Sequence, residues 1–277
     1  MRSIDTVLVP LDGSEFARTA VPAATRLATR LDAAIHLLSA VESLDDAGER
    51  VADLEQLEVP GPPVRRTVVV DRDPAAAIHE TLRRMPAGIA CMATHGRGRA
   101  TALIGSVATD VVARGHDIVL VCPYIDQARR TADVVVCVDD SPASAGLVTV
   151  GLDWADRLGE RLVVLTVAEE VQPTPTDEPP QRRFGPDGDV KGFLEELVQP
   201  ARAAGRTVET MALYNPIGVW QGLYRHLSAA PATLLVVNSR VRPPPMRLVF
   251  GSVATTIVRH SPVPVLVEPR PGEHTTN

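Results

Sequence analysis

The feature that most constrains this chain is that it carries nearly the same pattern twice. Val7-Leu8-Val9-Pro10-Leu11-Asp12-Gly13-Ser14 returns as Val134-Val135-Val136-Cys137-Val138-Asp139-Asp140-Ser141, and Gly105-Ser106-Val107-Ala108-Thr109 returns as Gly251-Ser252-Val253-Ala254-Thr255. Asp12 and Asp139 stand 127 positions apart, and Gly105 and Gly251 stand 146 apart. The second copy is therefore the longer one. At roughly 150 residues per domain, 277 residues hold two domains, and the repeat sets them at residues 1–127 and 128–277.

Within each copy, short Val/Leu/Ile runs alternate with longer stretches of helical period. That alternation specifies strand-helix-strand units and a parallel sheet. The first copy reads as strands near Thr6–Val9, Ala34–Ala40, Val64–Val70, Gly88–Ala93 and Ile118–Val121. The second reads as strands near Val134–Val138, Arg161–Val167, Thr207–Leu213, Thr233–Val237 and Val263–Val267. The fold class expected is α/β: two tandem, doubly wound, five-stranded parallel-sheet domains of Rossmann-like form. A ligand then belongs outside the carboxyl ends of strands 1 and 4. Asp73-Pro74 and Asn215-Pro216 each read as a helix start with proline first. Their spacing puts most of the second copy's extra residues between its strands 2 and 3, in the proline-punctuated stretch 172–189. The linker between copies is the short segment 126–132.

Composition narrows the function. The net charge is −6, and Lys191 is the only lysine. No basic block offers a footprint for nucleic acid or an anionic membrane. Lys191 is followed by Gly192, so a P-loop is absent. No apolar run approaches the roughly 20 residues of a membrane span. Arg2 and Asp5 lead directly into a strand-like run, which is not the pattern of a secretory leader. The expected location is the cytoplasm. Cys91, Cys122 and Cys137 sit in apolar runs without a C-x-x-C pair, and are expected to be buried and reduced.

Three segments of the first copy fall at the expected mouth of the sheet. Asp12-Gly13-Ser14 ends strand 1, where the aspartate either accepts hydrogen bonds from a ligand or only shapes the turn, while Ser14 caps the next helix. Thr94-His95-Gly96-Arg97-Gly98-Arg99 follows strand 4, and Gly105-Ser106 opens a helix. Glycines admit a close backbone approach to phosphates, a helix N-terminus offers unpaired N–H groups, and Arg97 or Arg99 adds countercharge. The competing reading is a loop-helix junction with Ser106 as an ordinary cap. Val107, Ala108, Val111 and Val112 form one apolar helix face, which Val253, Ala254, Ile257 and Val258 repeat.

No G-x-S-x-G surrounds a serine, and His79-Glu80 lacks the second histidine of a zinc-protease helix. No acid-base pair marks a transferase either. His95 reads as a phosphate contact or as a solvated loop residue. Trp154 and Trp220 are expected to pack against helix neighbours.

The ordered set of motifs resembles the universal stress protein family in its tandem two-domain form. It runs Val-Pro-Leu-Asp-Gly-Ser at 9–14, Thr-His-Gly-Arg at 94–97, Gly-Ser-Val-Ala at 105–108 and Pro-Val-Leu-Val at 264–267. The resemblance implies an adenine nucleotide alpha hydrolase-like fold and no catalytic residues. It further implies a stress-response protein that binds ATP or a similar adenine nucleotide, with magnesium accompanying it. In nucleotide-binding members the glycine loop and the G-[ST] pair hold phosphates and ribose, and the aspartate after strand 1 contacts the adenosine. Carried to this chain, the implied contacts are Pro10, Asp12, Ala40, Ala93, Gly96, Arg97, Gly105, Ser106 and Val107. Asp139, Gly251 and Ser252 are the remnant of a second, weaker site.

Two departures favour an alternative, an interaction protein whose sites have lapsed. Ala93 replaces the first loop glycine, and Asn238 and Val241 replace both loop glycines of the second copy, ahead of Pro243-Pro244-Pro245. The resemblance also implies an unidentified protein partner, a pairing of the two copies, a homodimer as a further expectation, and a meeting of the two last strands that buries Val119, Val121, Val265 and Val267.

Overall fold

A computed structural model describes residues 3–85, 87–94, 105–114, 117–123, 133–169, 189–215, 217–230, 232–238 and 252–268. The linker 126–132 and the proline-rich stretch up to 188 lie outside the described residues. The chain forms two compact units, residues 1–126 with 238–277, and residues 127–237.

In the first unit, β1 (Thr6–Pro10), β2 (Ala34–Val41), β3 (Val64–Val70), β4 (Gly88–Ala93) and β5 (Val119–Cys122) alternate with α1 (Glu15–Arg18), α2 (Ala20–Leu31), α3 (Leu44–Glu55), α4 (Pro74–Arg83) and α5 (Ser106–Arg114). The strands lie in the order β3-β2-β1-β4-β5, all parallel. The register sets Val7 beside Ile35 and Ile89, and Cys91 beside Leu120. Strand β1 is buried on both faces through Val7, Leu8 and Val9, which is why it reads as a continuous apolar run. Its cover is α2, which turns Ala20, Val21, Ala23, Ala24, Leu27 and Ala28 inward. Four of those six side chains are alanines.

The second unit repeats the pattern. Its elements are β6 (Asp133–Cys137), α6 (Ala143–Leu158), β7 (Leu162–Glu169), α7 (Val190–Ala203), β8 (Val208–Asn215), α8 (Val219–Ala229) and β9 (Ala232–Asn238). The strand order is β9-β6-β7-β8, again parallel. Trp154 is 2% exposed in the core, with the Arg157 guanidinium 5.6 Å from its ring centre. Trp220 pairs with Tyr224 one turn along α8, their rings 5.4 Å apart. Both tryptophans therefore pack against helix neighbours as expected.

The last elements of the second copy, α9 (Ser252–His260) and β10 (Val265–Glu268), close the first unit. β10 pairs antiparallel with β5, placing Val265 against Val121, Leu266 against Leu120 and Val267 against Val119. All six side chains are buried, which is the meeting of last strands that the sequence implied. An open β5 edge of Val, Leu, Val and Cys would otherwise expose unpaired backbone groups beside apolar side chains.

One helix start differs from expectation. Asp73 caps α4 by accepting from the Ala76 N–H at 2.9 Å, with Pro74 in the first helical position. Asn215 instead ends β8 and accepts from the N–H groups of Ile217 and Gly218, and α8 begins only at Val219. Gly218, at φ 146°, holds the position that Ala76 occupies in the first copy, and its free backbone delays the helix. Pro216 lies outside the described residues.

A matched pair of helix ends yields a prediction. Asp32 ends α2 at φ 53°, and its counterpart Gly159 ends α6 at φ 61°. The left-handed conformation suits glycine and strains an aspartate. Asp32→Gly should stabilise the chain by about 1 kcal/mol, read as a higher urea midpoint with unchanged slope.

His36 lies inside β2 at 4% exposure, its Nε2 2.9 Å from Thr67 Oγ1 and its Nδ1 3.5 Å from the Met85 sulfur. Burial, and secondarily the charge of Arg65, hold its pKa below the ordinary value. The folded state thus favours neutral imidazole. That contribution is complete above the unfolded value of about 6.5 and disappears as pH falls below it. Denaturation at pH 7 and pH 5.5 should show a loss of stability that His36→Gln reduces; an equal loss in the variant assigns the slope to other groups.

Candidate functional site

The carboxyl ends of β2, β1 and β4 lie side by side at one end of the first unit. The backbone there is fixed by a device the motif reading did not single out. Leu11 N–H donates to Leu38 O at 2.8 Å, and the buried Ser39 hydroxyl donates to Leu11 O at 2.7 Å. The second unit repeats both bonds: Val138 N–H to Leu165 O at 2.8 Å, and Thr166 Oγ1 to Val138 O at 2.8 Å. Ser39 and Thr166 are themselves 127 positions apart. A hydroxyl at matching places in two apolar strands was the available signal.

Asp12 follows directly. Its Oδ1 accepts from Ser14 N at 2.9 Å and from Ser14 Oγ at 2.6 Å, and Ser14 Oγ in turn accepts from Ala17 N at 3.1 Å as the cap of α1. Gly13 makes the bend at φ 83°. The carboxylate therefore does shape the turn. It is half-buried. Asp139 is built differently: its Oδ1 accepts from Ser141 N at 3.0 Å and lies 3.2 Å from Ser144 Oγ, which donates to Asp139 O at 2.7 Å. Asp139 is exposed.

At the β4 end, Ala93 is half-buried and Thr94 is buried. Thr94 N donates to Cys122 O at 2.9 Å, and Thr94 O accepts from Gly105 N at 2.8 Å. Thr94 and Gly105 are thus joined directly. Gly105 O then accepts from Thr109 N at 3.0 Å, so Gly105 supplies the capping carbonyl and Ser106 is the first helical residue. Ser106 is exposed, and it is not the cap that the sequence offered as an alternative. The apolar face behind it is as read, with Ala108, Val111 and Val112 buried and Val107 half-buried.

Pro10, Ala40 and Ala93 lie in β1, β2 and β4, Asp12 follows β1, and Gly105 precedes Ser106 and Val107 of α5, so all seven fall at one end of the first unit. His95, Gly96, Arg97 and Arg99 lie outside the described residues, as do Gly251 and Val241. Ser252 opens α9. Among the described residues, no group of three or more His, Cys, Asp or Glu is placed to hold a metal ion.

The structure adds Arg50, which sequence reasoning missed. It comes from α3, carries its guanidinium over the α-carbon of Gly13, and donates from Nη1 to Asp53 Oδ2 at 3.1 Å. Asp53 also pairs with Arg18 of α1. The only sequence signal was a local Arg-x-x-Asp pair on a helix, with nothing to say that it reaches a turn 37 residues earlier. Cys91 and Cys122 lie buried behind the mouth with sulfurs 3.4 Å apart; each is a free thiol, and the neighbouring thiol with burial pushes the Cys91 pKa well up. Burial pushes that of Cys137 up to about 12.

Comparisons with known proteins agree with this fold. The model of the Universal stress protein family matches residues 3–59, 42–123 and 131–269. Among solved structures, a universal stress protein from Archaeoglobus fulgidus superposes with TM-score 0.70 at 19% identity, covering 98% of this chain and 100% of that one. A universal stress protein from Pseudomonas aeruginosa gives 0.63 at 16%, covering 96% and 94%. The cytoplasmic domain of a prokaryotic cation chloride cotransporter shares the fold at 0.52 and 14%, covering 98% and 97%. Comparison with curated proteins gives no match.

Proposed function

Since the chain belongs to the universal stress protein family, we propose that it is a stress-response protein that binds ATP or a similar adenine nucleotide in its first domain, and acts through partner contacts without catalysis. The observation that carries this reading is the convergence of the Asp12-Gly13-Ser14 turn and the Gly105-Ser106 helix start on neighbouring strands. The donor set suits a nucleotide. Backbone N–H groups in the first turn of α5 match phosphate oxygens, and the Asp12 carboxylate matches a hydroxyl or an amine. Magnesium would ride on the phosphates, which supply most of its ligands together with water. No helix among the described residues is long and apolar enough to cross a membrane, which suits the cytoplasmic location that belongs to this reading.

Isothermal titration with ATP is the direct test. It should give about one nucleotide per chain, and no heat at millimolar ATP would overturn the proposal. The second reading, an interaction protein with lapsed sites, draws on Ala93, Asn238 and Val241 in place of loop glycines. Purified protein that never carries or takes up adenine nucleotide would favour it.

A further inference from the structure

The turn after β1 carries a guanidinium whose donors are mostly unused by the described residues. The Arg50 side chain is 17% exposed, and its guanidinium lies so close over Gly13 that a β-carbon there would overlap it. Of the five N–H donors on that fork, the bond to Asp53 uses one, and Nε is buried with no hydrogen-bond partner. Asp53 is itself shared with Arg18. Arg50 and Arg18 share that one carboxylate, so most of the Arg50 donors have no acceptor among the described residues. A buried donor without an acceptor is costly unless a ligand supplies one.

We propose that Arg50, with Arg18 behind it, is an anion-binding element of the nucleotide site and contacts a phosphate group of the ligand. The proposal rests on the nucleotide reading above and adds a contact from α3, separate from the start of α5. β1 lies between the two, with β2 on one side and β4 on the other. A planar fork with spare donors suits tetrahedral phosphate, which it can engage through two parallel bonds. The phosphate belongs either to the 5′ chain or to the ribose of a nucleotide phosphorylated there, and the choice of ligands separates these sources.

The experiment titrates wild type, Arg50→Gln, Arg50→Lys and Gly13→Ala with ATP, adenosine 3′,5′-bisphosphate, adenosine and inorganic tripolyphosphate. Gly13→Ala displaces the guanidinium but also strains the turn at φ 83°, so its affinities are read beside its urea midpoint, which reports folding for each variant. Arg50→Gln should weaken ATP or the bisphosphate about tenfold or more, the span expected for a charged hydrogen bond, with adenosine unchanged. Arg50→Lys should fall between. A loss confined to the bisphosphate assigns the ribose phosphate, and one confined to ATP and tripolyphosphate assigns the 5′ chain. Equal losses for adenosine and the phosphorylated ligands, or no loss at all, would overturn the proposal by making Arg50 a support for the turn. If wild type takes tripolyphosphate but no nucleotide, the nucleotide reading fails while Arg50 is still judged on tripolyphosphate; if it takes neither, both fail.

Discussion

Val121→Asp should destabilise the chain by about 3–5 kcal/mol, the range for an uncompensated buried charge. Val121 is 1% exposed and sits in β5 with Met92 of β4 on one side and Val265 of β10 on the other. The introduced carboxylate would face Met92 and Val265 directly, with no charged side chain along either facing ladder, and the backbone groups there already pair with each other. It would escape part of the penalty by taking a proton, so the variant should recover stability at low pH relative to wild type. Val121→Ala provides the scale for lost volume alone, at about 2 kcal/mol. Urea unfolding of the three proteins separates the charge from the cavity. A Val121→Asp chain with the wild-type midpoint would place this strand in solvent and undo the β5–β10 pairing.

That pairing was legible because its residues had no other use. Four consecutive apolar residues at a sheet edge demand cover, and the duplicated sequence supplies a second such run. The parallel strands were equally readable, since β1, β4, β6 and β9 are apolar runs of strand length bounded by turn residues. The edge strand β3 was read at the same bounds, Val64–Val70, although it pairs along one side only and none of its residues is buried. Local signals misled where a single residue redirected the backbone. Asn215-Pro216 matches Asp73-Pro74, yet Gly218 releases the chain that Ala76 holds in a helix.

The site divides the same way. Asp12, Ser14 and Gly105 were found because their roles are local: a carboxylate two residues from a serine, a glycine before an apolar helical face. Arg50 depends on how α3 packs. That helix buries Leu54 and leaves Leu44 80% exposed, so its pattern gives little indication of which face meets the sheet. Only the folded arrangement brings its arginine to Gly13. His36 was missed for a related reason, because a histidine inside an apolar strand acquires its meaning from Thr67 and Met85 on other elements.

Replacing Asp12 should cost nucleotide affinity about 10- to 100-fold, the equivalent of one charged hydrogen bond, and the choice of substitute decides what the loss means. The carboxylate has one oxygen committed to Ser14 N and Ser14 Oγ. Asp12→Asn keeps an acceptor for the Ser14 N–H and therefore preserves much of the turn, while removing the negative charge. Asp12→Ala removes both, and should lower stability by about 1 kcal/mol through loss of the turn bonds as well as weakening the ligand. If Asp12 faces a ribose hydroxyl or an adenine amine, both variants lose affinity while the asparagine variant keeps nearly the wild-type urea midpoint. If it only shapes the turn, Asp12→Asn binds ATP like wild type and any loss in Asp12→Ala follows its lower stability. Asp139→Ala is the matched control, because that carboxylate is exposed and tied to its own turn through Ser141 N. Under the proposed first-domain site, ATP affinity in Asp139→Ala should stay at the wild-type value, and a loss as large as that of Asp12→Ala would move the site to the second domain.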